Sequence, residues 1–219
     1  MRLYLSSFRL GTDPTWLVRL AGEGARTAVI ANAVDAEPPD VRREKVRAEV
    51  DALTGLGLRP FELDLREHAG AGGPAVGAVL AGCDAVWVRG GNVFVLRHVL
   101  ARSGADDVLT ELLRSDRIVY AGYSAGPCVL GPSLRGLEAV DDAAAVQRLY
   151  GAAPTWSGLG VLTERVVPHV RSPGHPGSPA LDRIAERYRR EGIPHLPLRD
   201  GEALVIRDDV RTIVGRPAG

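Results

Sequence analysis

Short apolar runs with strand character alternate with segments of helical periodicity along most of this chain. That alternation constrains the fold more than any other feature. Strands separated by helix-length crossovers pair in parallel, and a parallel sheet needs helices over both faces. Residues 2–8, 27–31, 60–65, 85–88 and 117–121 read as strands. Between them, residues 12–20, 40–56, 75–81, 92–101 and 106–113 read as helices. In the second of these, Val46, Val50, Leu53 and Leu56 share one face, and Gly55 and Gly57 end it. Asp13 is the expected cap of the first helix, with Pro14 in its first turn. The expectation is an α/β fold of three layers, a mostly parallel sheet flanked by helices.

Beyond residue 131 the regularity weakens. Residues 132–156 read mostly as loop with a helix at 143–149, residues 161–167 and 196–198 as strands, and 179–190 as a helix. Two β-rich runs at 203–206 and 210–214 flank Arg207-Asp208-Asp209, a hairpin signal. No repeat or linker interrupts the chain, so residues 1–219 are expected to form one domain.

Equal numbers of basic and acidic residues, 27 each, argue against nucleic acid or an anionic membrane as partner. The two cysteines, Cys83 and Cys128, form no C-x-x-C pair, and no leader or membrane-length apolar run is read. A reducing, cytoplasmic setting is expected. The five histidines lack metal-ligand spacing, so neither a metal nor another cofactor is expected.

The fifth strand runs into Gly122-Tyr123-Ser124-Ala125-Gly126, a G-x-S-x-G strand-to-helix turn. Small residues around Ser124 let the backbone double back and push the hydroxyl out at the carboxyl edge of the sheet. The simpler reading of the same five residues is a tight turn with a surface serine, and the strand before with the turn after favours a nucleophile. A nucleophilic serine needs a base and a group that orients the base. His169 directly follows a strand in Val166-Val167-Pro168-His169, at the edge where Ser124 is expected, whereas His98 lies beside Arg97 on a helix and His175 in a loop. Asp200, between a strand and Gly201, is the candidate orienting acid. Asp141 and Asp142 are alternatives, with capping of the next helix as their simpler role. Arg89-Gly90-Gly91-Asn92 lies at another strand end, where glycines admit a substrate and Asn92 can cap a helix.

Four ordered blocks resemble one family: Arg89-Gly90-Gly91-Asn92-Val93-Phe94 with Leu96, the Ser124 elbow, Pro168-His169, and Arg199-Asp200-Gly201. It is the aspartyl dipeptidase (peptidase E) and cyanophycinase family of serine peptidases. The resemblance implies a class I glutamine amidotransferase-like, flavodoxin-like fold. It implies Ser124 as nucleophile, His169 as base, Asp200 in the place of a triad glutamate, and Gly91 and Ala125 as oxyanion donors. Gly90, Asn92 and Arg171 are candidate substrate-binding residues. Aspartyl dipeptidases hold the substrate's aspartyl side chain with an arginine in a stretch that here reads Gly177-Ser178-Pro179-Ala180. That arginine is absent, with Arg171 or Arg183 as possible substitutes, and strict specificity for N-terminal aspartate is not expected.

The resulting expectation is a serine peptidase of short peptides, monomeric or homodimeric. A cyanophycinase-like or esterase-type hydrolase and a catalytically idle binding module are the alternatives. Esterases of the α/β-hydrolase type run serine, acid, histidine, an order this chain does not follow.

Overall fold

The computed structural model describes residues 1–70 and 72–216. Its elements, in chain order, are β1 (Arg2–Ser6), α1 (Thr15–Ala21), β2 (Arg26–Ile30), α2 (Pro39–Gly55) and β3 (Arg59–Glu62). They continue with α3 (Gly73–Leu80), β4 (Ala85–Val88), α4 (Val93–Ser103), α5 (Ala105–Arg114), β5 (Val119–Tyr123) and α6 (Ala125–Leu130). The remainder are α7 (Ala145–Tyr150), β6 (Arg165–Val167), α8 (Ser178–Arg190), β7 (His195–Pro197), β8 (Ala203–Arg207) and β9 (Val210–Val214). Ala71, in the glycine-rich turn before α3, and the tail 217–219 lie outside the described residues.

The main sheet has the order β3-β2-β4-β5-β1-β8-β9. β3, β2, β4, β5 and β1 pair in parallel, and the terminal hairpin β8–β9 adds antiparallel to β1. Both faces are covered, and successive residues alternate between two cores. Leu3, Leu5, Ala28, Ile30, Val86, Val88 and Tyr120 face α3 to α8. Tyr4, Val29, Trp87, Val119 and Ala121 face α1 and α2. This is why β4, buried throughout, reads as a continuous apolar run. Val46 and Leu53 are buried on α2 as expected, and so is Arg42, whose charge is met by Asp35, Glu62 and Asp64.

The β8–β9 turn narrows to Asp208 and Asp209, both left-handed at φ 50° and 62°, the geometry of a two-residue turn matching strand twist. Two local expectations are corrected. Pro14, not Asp13, occupies the cap position of α1, and the Asp13 carboxylate accepts the Thr15 hydroxyl instead. The strand expected over 161–167 shortens to β6. Leu159 and Leu162 donate their N–H groups to Val129 and Leu130, which ties that stretch to the end of α6.

β6 does not join the main sheet. It pairs in parallel with β7 as a separate two-stranded sheet. Ser7, just past β1, bridges the two sheets: its hydroxyl accepts the His169 N–H at 2.8 Å and donates to Asp200 Oδ1 at 2.8 Å.

Candidate active site

Ser124 sits between β5 and α6 at φ 54° and ψ −108°, a conformation that side-chain-bearing residues rarely adopt. The glycines around it follow from one close approach. A Cβ at Gly122 would lie 2.4 Å from the Val88 carbonyl oxygen, and one at Gly126 would lie 2.5 Å from the same atom. A Cβ at Gly90 would meet the Ser124 Cβ at 2.8 Å. Glycine at these positions lets the end of β4 press against the elbow, and the Ser124 hydroxyl opens into a cavity of about 680 Å³.

His169 leaves β6 in a left-handed conformation, φ 57°, which swings its ring toward β5. Its Nε2 lies 3.0 Å from Ser124 Oγ, and its Nδ1 lies 2.6 Å from Asp200 Oδ1. Asp200 is fixed in turn, its N–H donating to Ser172 Oγ at 2.8 Å. Burial alone would raise its carboxyl. The hydrogen bond and charge of His169, with the Ser7 hydroxyl, hold it below the ordinary carboxylate value. An ionised acid here favours the imidazole tautomer with the proton on Nδ1, leaving Nε2 free to take the serine proton.

The structure also separates the remaining candidates. Asp141 does not reach His169. Its Oδ2 accepts the Val93 N–H at 2.9 Å, and burial pushes its carboxyl up to about 6. Asp142 is exposed, accepts the Ala144 N–H at 2.9 Å and pairs with Arg148; the cap position of α7 is Ala144, without a side-chain cap bond, so the capping role expected of Asp142 is not found. Asn92 caps α4 by accepting from Phe94 and Val95, and donates to the Asp142 carbonyl. Gly90, Gly91, Asn92, Ala125 and Asp141 line the cavity with Ser124. Ala125 is the first residue of α6, where an N–H has no intrahelical acceptor.

Arg171 and Arg183 lie away from that cavity; Arg171 donates its N–H to Asp182 and borders a groove against α8. The cations that do line the cavity are Arg9, Lys45 and Arg89. Lys45 pairs with Glu37, and Arg89 with Glu49 at 3.1 Å. Arg9 forms no ion pair among the described residues, and its guanidinium lies 5.3 Å from the centre of the Phe8 ring. Ala180, at the position of the absent arginine, is part of the wall.

Cys128 is buried, donates to the Val166 carbonyl at 3.4 Å, and has its thiol pushed well up by burial. Four residues after Ser124, it also lines the cavity. Sequence reasoning assigned no role to Ser7 and set His175 aside as a loop residue. The adjacent serines at the end of β1 were a signal for the first; for the second no local signal exists. Among the described residues no cluster of three or more His, Cys, Asp or Glu could hold a metal, and no helix is long and apolar enough to cross a membrane.

The family model of peptidase family S51 matches residues 17–214. Peptidase E of Streptomyces coelicolor is 31% identical over 196 residues, which is 88% of this chain and 72% of that protein. Peptidase E of Shewanella amazonensis is 28% identical over 183 residues, 80% of this chain and 68% of that one. A crystal structure from Listeria monocytogenes, provisionally described as a peptidase E, superposes with a TM-score of 0.79 at 24% identity over 98% of both chains.

Proposed function

The chain belongs to peptidase family S51, and from that premise we propose that it is a serine peptidase cleaving short peptides through Ser124, His169 and Asp200. The observation that carries this reading is the continuous hydrogen-bonded path from Ser124 Oγ through both nitrogens of His169 to Asp200. In the reaction, Ser124 Oγ attacks the scissile carbonyl carbon as His169 Nε2 takes its proton. Asp200 stabilises the imidazolium that forms. The N–H groups of Gly91 and Ala125 receive the developing oxyanion. His169 then gives its proton to the leaving amine, and water repeats the sequence on the acyl-enzyme.

The charges of the cavity favour a peptide with free termini. Asp141, without an ion-pair partner among the described residues, is the group for an α-ammonium, and Arg9 the group for a carboxylate. With Ala180 in the wall, no cation is committed to an aspartyl side chain there. An esterase of the α/β-hydrolase type is disfavoured by the chain order Ser124, His169, Asp200.

Two measurements test the reading. A fluorophosphonate probe should label wild-type protein at Ser124 and leave Ser124→Ala unlabelled. A panel of dipeptides and longer peptides, with free and blocked termini, should show turnover confined to short peptides with a free amino terminus. Labelling at another residue, or faster cleavage of blocked peptides, would overturn the assignment.

A further inference from the structure

Of the groups that this mechanism leaves idle, His175 is built most closely onto it. Its ring lies face to face with that of His169, the centroids 3.6 Å apart and the planes within 2° of parallel. The loop between β6 and α8 folds back to make this stack, with His169 and Arg171 both left-handed. The turn is tied at several points. The His175 N–H donates to the Ser172 carbonyl at 2.8 Å, and the Ser178 N–H donates to the His175 carbonyl at 3.0 Å. The Gly177 N–H donates to His175 Nδ1 at 3.2 Å, which makes that nitrogen an acceptor and leaves the ring neutral with its proton on Nε2. Burial, and then the charge of His169, favour the same neutral form.

Phe8 completes the arrangement. Its centroid is 5.8 Å from His169 and 6.1 Å from His175, its plane steeply inclined to both at 68° and 70°. Nearly equal distances to two stacked rings place Phe8 beside the stack, across both edges, instead of on top of either.

We propose that His175 is a positioning residue for His169, a planar wall that lets the base move within its own ring plane and resists tilt out of it. In-plane motion is what the base needs. Its Nε2 must pass a proton from Ser124 Oγ to a leaving nitrogen a short way off while Nδ1 keeps its bond to Asp200. Tilt would break one of those bonds. A neutral imidazole serves where a cation would not, because His169 itself becomes positive during the reaction. The proposal rests on the Ser124–His169–Asp200 reading.

The test compares His175→Phe, which keeps a planar face, with His175→Ala and with His175→Leu, which fills space without one. The readouts are kcat, KM and the low-field proton resonance of the His169 Nδ1–H in water. Wild type and His175→Phe should share a protected resonance and kcat values within about threefold. The Ala and Leu variants should lose the resonance to exchange and lose about 30- to 100-fold in kcat, with KM little changed, the scale of a catalytic group misplaced by about an ångström. Equal losses in Phe and Ala, or a resonance and kcat indifferent to all three substitutions, would overturn the role of the stack. A resonance that survives Asp200→Asn would instead sink the triad reading, so the two failures are distinguishable.

Discussion

Asp141 gives a prediction in which stability and function oppose each other. Its carboxyl sits at about 6 against an ordinary value of 3.8, because burial penalises the charged form more than the Val93 N–H and the His169 charge relieve it. A raised acid binds its proton more tightly in the folded state. Its penalty is therefore absent below pH 4, grows between pH 4 and 6, and is complete above 6. At about 1.4 kcal/mol for each pH unit between the two values, the ionised carboxylate costs the fold at most about 3 kcal/mol at pH 8. Asp141→Asn keeps an oxygen for the Val93 N–H and removes the charge. Chemical denaturation should find the variant more stable than wild type at pH 8, by about 1–3 kcal/mol, and no more stable at pH 4. The same variant should bind free-amine peptides less well, raising KM, with a smaller effect on kcat. A variant less stable at pH 8, or one whose advantage is the same at both pH values, would refute the claim that a destabilising charge is kept there for the substrate.

Asp200→Asn should cost about 10⁴-fold in kcat, since an amide no longer enforces the required tautomer, while Asp142→Asn should be nearly silent. The reverse ranking would move the orienting acid to the loop after α6. Cys128→Ala should keep activity within about tenfold and lose about 1 kcal/mol of stability in thermal unfolding, because the thiol is buried and bonded only to a carbonyl. Complete inactivation with the fold intact would show that it takes part in the chemistry. For specificity, Asp-Leu should be preferred over Asn-Leu by less than about 100-fold in kcat/KM, near 2.7 kcal/mol. A larger preference that Arg9→Ala abolishes and Arg171→Ala does not would assign that role to Arg9, the cavity-lining cation that forms no ion pair among the described residues.

The layers of this protein and the strand-to-helix turn that carries the proposed nucleophile are legible in the sequence, because both are local properties. Strand and helix periods are set by neighbours a few residues apart, and β4 coincides with its apolar run at 85–88. The demand for glycine at 122 and 126 is local in the same sense, although the atom that enforces it, the Val88 carbonyl, is not. His169 was legible too, as a histidine directly after a strand. The choice of acid was different. By sequence Asp200 is the first candidate, with Asp141 and Asp142 as alternatives, and only the pairing of β6 with β7, outside the main sheet, brings Asp200 onto Nδ1. The same pairing made Ser7 a bridge across more than 160 positions of sequence. Arg171 is two residues from the base, but a left-handed backbone turns it toward α8, while the remote Arg9 arrives at the cavity. Proximity along the chain could not predict these placements, because a side chain's direction at a strand end depends on the loop's torsions and on which strand its own strand joins. Those are decided by packing across the whole molecule.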